Sequence, residues 1–152
     1  MPLPSWFLVV SALALGCSVD NSTAALSGRV DGPTLAIQSS SVGADATGSF
    51  SLQIALGDYA SSDSQVSLGT FSIQRGDTEL MSPLSLAGAT FPVSLGVGKK
   101  VMLPMTFTAS VDPSAAMTIC EAPVLVQGTL LDSQNAGQPL LVTSSDFSAT
   151  CN

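Results

Sequence analysis

Three cysteines, at positions 17, 120 and 151, are the residues of this 152-residue chain best equipped for covalent chemistry. Cys120 and Cys151 do not suit a metal, because two ligands alone leave a tetrahedral zinc site unclosed. The sequence has no histidine, which removes Ser–His and Cys–His nucleophilic pairs, His-ligated metals and the commonest general base. Glutamate occurs only at 79 and 121. A carboxylate pair for glycoside hydrolysis would therefore come from scattered aspartates, and no spacing marks two of them as partners. Asp58, Asp63 and Asp77 fall in turns, where carboxylates can hold calcium, but no D-x-[DN]-x-[DN]-G loop accompanies them. Aspartate is an ordinary turn residue. Arg75-Gly76-Asp77 spells the integrin-recognition tripeptide, at a place where Gly-Asp is also ordinary hairpin chemistry. These residues predict a protein that is not an enzyme, with no cofactor and no metal. A small envelope hydrolase using Asp and Ser is the weaker alternative.

Composition narrows the partners. Lys and Arg number four against a net charge of −7, which argues against nucleic acid, since affinity there rests on neutralising phosphates. It argues equally against electrostatic docking on anionic lipid. Charged residues make up 10% of the chain, so Ser, Thr, Gln and Asn carry the polar surface, as suits an exported β protein. Lys99-Lys100 flank a glycine turn and read as a solvated corner that guards an exposed edge.

Cys17 has a context of its own. From Trp6 to Gly16 the chain is apolar apart from Ser11. That is the length of a signal h-region and falls short of the roughly 20 residues that span a bilayer. Leu13-Ala14-Leu15-Gly16 stand directly before the cysteine. This layout resembles the signal peptide of bacterial lipoproteins, cut before a cysteine that carries diacylglycerol. Gly16 fits that pattern; Ala14 stands where Leu is commonest, and no Lys or Arg precedes the apolar run. The resemblance implies a signal peptide over 1–16, lipid on Cys17, and attachment to a membrane through that lipid. Ser18, where an Asp would signal inner-membrane retention, implies the outer membrane of a Gram-negative envelope. Ala12-Leu13-Ala14 leaves a second route open, in which ordinary signal peptidase releases a soluble protein starting at Leu15. The cysteine count favours lipidation, which uses one of three thiols and leaves an even pair. Residues 17–25 then form the lipidated N-terminus and a flexible tether, and Asn21-Ser22-Thr23, a glycosylation pattern only in eukaryotic secretion, falls within it. An envelope protein or a glycan is the partner expected for the folded part.

The elements beyond the tether follow a period of two. Phe50, Leu52, Ile54 and Leu56 alternate with small or polar residues and stop at Gly57-Asp58. A second strand has Val66 and Leu68 on even positions, then Phe71 and Ile73 on odd ones, so a β-bulge is expected at Gly69. Val101–Val111 is the strongest strand, with Pro104 on its polar face; the missing amide donor places it at an edge or near a bulge. Shorter strands are expected at Thr34–Gln38, Glu79–Leu86, Phe91–Leu95, Met117–Cys120, Val124–Leu131 and Leu140–Thr143. Turn signals at Asp31-Gly32-Pro33, Gly76-Asp77, Gly96-Val97-Gly98, Asp112-Pro113 and Asn135-Ala136-Gly137 separate them. No stretch keeps a helical period over three turns. The fold class is all-β: a single antiparallel β-sandwich over 26–152. Residues 91–109, FPVSLGVGKKVMLPMTFTA, resemble a strand–glycine turn–strand unit of immunoglobulin-like sandwiches in bacterial surface proteins, which implies a fold and no activity.

The two remaining cysteines are expected to pair. In an antiparallel hairpin of Val124–Leu131 and Leu140–Thr143, the point midway between 120 and 151 falls in the loop at Asn135-Ala136. Extending that ladder outward would set Cys120 and Cys151 level. An oxidising envelope permits the bond, and closing a loop of about 30 residues is worth roughly 3–4 kcal/mol in the chain-entropy model. The bond would also fasten the last residues, which otherwise fray.

Overall fold

The computed structural model describes residues 26–135 and 138–152. The expected signal peptide, Cys17, the expected tether and Ala136-Gly137 lie outside the described residues. In chain order the elements are β1 (Leu26–Ser40), β2 (Gly43–Leu56), β3 (Ser64–Arg75), β4 (Thr78–Met81), β5 (Ser85–Gly88), β6 (Val93–Leu95) and β7 (Lys100–Val111). A helix α1 (Pro113–Glu121) follows, then β8 (Leu125–Asp132), β9 (Leu140–Thr143) and β10 (Thr150–Cys151). Two sheets face each other, the first in the order β10-β1-β2-β7-β5 and the second in the order β4-β3-β8-β9, with β6 also paired to β3. All pairings among the described strands are antiparallel except β10 alongside β1. The fold is an all-β sandwich.

The phase of each long strand decides which side chains fill the space between the sheets. On β2, Ala44, Ala46, Phe50, Leu52, Ile54 and Leu56 are buried. Met105, Phe107 and Val111 of β7 meet them from the neighbouring strand, and Val66, Phe71 and Ile73 of β3 come from the opposite sheet. Phe50 stacks on Phe71 across the sheets, with ring centroids 5.7 Å apart, and tilts against Phe107 at 6.1 Å. The change of phase on β3 is a bulge between Leu68 and Phe71. A Cβ at Gly69 would overlap the Thr129 hydroxyl.

Several sequence expectations are corrected. Asp31-Gly32-Pro33 does not end a strand: β1 continues through it with a register shift between Asp31 and Thr34, and Gly32 takes φ +56°. The stretch Glu79–Leu86 is two strands in different sheets, because the chain crosses from one to the other at Ser82-Pro83-Leu84. Strands β6 and β7 likewise belong to different sheets. Pro104 sits one residue beyond the β5 pairing, on the part of β7 that has only β2 beside it, so its missing N–H falls at a local edge of an otherwise interior strand.

Met117–Cys120, expected as a strand, lies in α1. Asp112 caps the helix, accepting from the Ser114 amide at 2.9 Å and its hydroxyl at 2.6 Å, and Pro113 occupies the first turn, where its absent donor is not missed. Those two bonds hold the Asp112 carboxyl below its ordinary pKa. Ala116 and Ile119 are the buried side of the helix. At its far end Pro123 disfavours continuation, and the Arg75 guanidinium donates to the carbonyls of Thr118, Ala122 (2.7 Å) and Pro123 (3.3 Å). Thr118 and the C-cap Ala122 offer orphaned acceptors of the helix end, Pro123 lies just beyond it, and a cation suits the negative end of the helix.

Candidate functional site

The cysteines meet, by a route other than the one the ladder suggested. Cys120 is on α1 and Cys151 on β10, joined in a disulfide with Cα atoms 6.1 Å apart. Strands β8 and β9 pair from Leu130–Leu140 to Gln127–Thr143, with one further bridge at Val124–Phe147. Beyond that the chain leaves the second sheet and joins β1 in the first. The bond therefore ties the helix to an edge of the first sheet, and the β8–β9 hairpin is enclosed between its ends.

The aspartates are dispersed, and Asp31, Asp63, Asp112 and Asp132 are engaged locally. Asp31 pairs with Arg29 at 2.8 Å. Asp63 accepts from the Val97 amide at 3.1 Å and so holds the glycine turn before β7. Asp132, buried at 5% exposure, accepts from the Ser64 hydroxyl and from the Gln134 amide. Among the described residues, no group of three or more acidic or cysteine side chains comes together to hold a metal. Arg75 is drawn inward to α1, while Gly76 and Asp77 form the exposed two-residue turn between β3 and β4. The tripeptide is thus divided between a helix cap and a hairpin. Lys99 and Lys100 are exposed beside the stretch of β7 that lacks a β5 neighbour.

The concavity that stands out lies on the outer face of the first sheet. It has a volume of about 540 Å³, and none of its lining residues is ionisable. Register builds it from two rows that cross the strands. One row reads Thr150, Ala36, Thr47 and Thr108 from β10 to β7. The next reads Thr34, Ser49 and Thr106, and Ser85 and Ala87 of β5 extend the two rows beyond the lining. Ser148, in the segment between β9 and β10, adds a hydroxyl to the wall. Neighbouring strands are about 4.8 Å apart, and positions i and i+2 on one strand about 6.6 Å apart, so the rows form a grid of small side chains. Thr34 and Ser49 bond each other at 2.9 Å, and Thr106 reaches the Ala87 carbonyl at 3.5 Å. Among the described residues, the hydroxyls of Thr47, Thr108, Ser148 and Thr150 have no side-chain partner and face the trough.

The outward phase of Thr106 and Thr108 was readable from the alternation in β7. The rows were not, because they unite strands far apart in the chain. No family model and no curated protein matches this chain.

Proposed function

We propose that the chain is a non-catalytic binding module, held at the outer membrane of a bacterial envelope by lipid on Cys17, with the outer face of the first sheet as its working surface. The observation that carries this reading is the uncharged, hydroxyl-lined trough, set apart from aspartates that hold turns and caps. An acid–base site needs groups that share a proton-transfer geometry; a binding face needs only a shaped surface with unengaged donors and acceptors, and the trough has the volume of a ligand site. The lipobox-like residues before Cys17 support the anchor. Mass spectrometry of the mature N-terminus tests it: diacylglyceryl-modified Cys17 is expected, and an unmodified N-terminus at Leu15 overturns it. For the surface, Thr47→Arg places a charge in the trough and should abolish recognition of the envelope fraction by the purified protein. Recognition that survives this change places the working surface elsewhere.

A further inference from the structure

We infer that the trough binds a neutral, linear glycan laid across the strands, an assignment that rests on the first sheet's outer face being the working surface. Four properties of the grid select this ligand. Its lining has no ionisable side chain, so a charged ligand would give up water with no opposite charge to receive it. The nearest charges stand off the grid: Asp45 lies one outward position beyond Thr47, and Asp31, opposite Ser51, lies one outward position beyond Ser49 and is paired with Arg29. Each Ser or Thr hydroxyl both donates and accepts, as do the hydroxyls along the edge of a sugar ring. The threonine methyls and Ala36 supply apolar contact for the C–H faces of such rings.

The repeat is the fourth property, and it fixes the direction. The strand spacing of about 4.8 Å is close to the length of one hexose in an extended β-linked chain. Successive rings of an extended β-1,4-linked chain are turned by half a turn, so alternate sugars would meet alternate strands in nearly equivalent ways, and the two rows would take opposite edges of the rings. The lining reaches β10 at one edge of the sheet and stops at β7, one strand short of the other. A polymer can pass beyond either end, so the site recognises internal stretches of a chain.

The test uses the mature protein, in detergent micelles when lipidated, pelleted with insoluble chitin and with cellulose. Soluble oligosaccharides of each serve as competitors. Retention on at least one polymer is expected, with competitor potency rising up to about four sugars, one per lining strand, and levelling after that. Thr47→Val with Thr108→Val keeps the branched shape, removes two hydroxyls and should weaken retention at least about tenfold. Ser148→Ala lies outside the strands, leaves the ladder intact and should weaken it several-fold. Retention should not change between low and high salt, since no ion pair contributes. No retention on either polymer, full retention by both variants, or retention that falls with salt overturns the glycan. Light scattering of the wild type and Thr47→Arg separates the two levels of the claim. A dimer that Thr47→Arg splits makes a second copy the occupant, so the glycan fails and the working surface stands. If Thr47→Arg alters neither retention nor association, both fail.

Discussion

Each sheet has a glycine directly opposite a phenylalanine, Gly48 facing Phe107 in the first and Gly128 facing Phe71 in the second. In both pairs the ring lies where a glycine Cβ would stand, and Phe50 packs against both rings. The pairs differ in what else is close. At Gly128 the nearest atoms are all in the Phe71 ring, whereas at Gly48 the Thr34 carbonyl of β1 also crowds the position. Thr34 is the first paired residue after the register shift in β1. A ring can turn about its side-chain bonds; a carbonyl fixed in a ladder cannot. The same contact pattern therefore has one compliant copy and one rigid copy, and the rigid one lies beneath the hydroxyl trough.

Phe50→Ala removes the side chain shared by both pairs and should cost about 3–5 kcal/mol in urea unfolding; a loss below about 1 kcal/mol would mean that the pairs are independent. Replacing Cys120 and Cys151 by Ser leaves both pairs intact and should cost about 3–4 kcal/mol, with thiol labelling of the oxidised, unfolded wild type finding neither cysteine reactive. Gly48→Ala should cost about 3 kcal/mol and Gly128→Ala about 1–2 kcal/mol. Phe71→Leu should rescue part of the second loss, while Phe107→Leu should not rescue the first; equal losses and equal rescue would erase the distinction. The smallest effect concerns Asp112, far from either pair. Its carboxyl pKa is lowered in the fold by the Ser114 bonds, so its contribution is present above the ordinary carboxylate range and is lost as pH falls through the lowered value. The melting-temperature gap between wild type and Asp112→Ala should be constant near neutral pH and close on acidification.

Much of the sandwich was legible because alternation is a local signal. The phases of β2 and β7, the bulge beside Gly69 and the limits of β9 follow from neighbouring residues. Features that depend on contacts distant in sequence were not. Gly48 and Gly128 look like weak points in their strands until the opposing rings are known. The helix was hidden by its length of nine residues, too short for its period to show, although Asp112-Pro113 carries a start signal as well as a turn signal. The cysteine pairing was reached through a ladder that the chain leaves before Cys151. Of the candidate site, single outward threonines were visible and their union across four strands was not.

Strand β1 gives the proposed anchoring a scale. It begins at Leu26 and runs 15 residues to Ser40, a strut of about 45 Å at strand rise. The trough crosses it at Thr34 and Ala36, roughly 25–30 Å from its start. A polymer laid along the proposed rows would cross the strand at right angles. The residues between Leu26 and Thr34 thus act as a rigid spacer between the start of the fold and the trough.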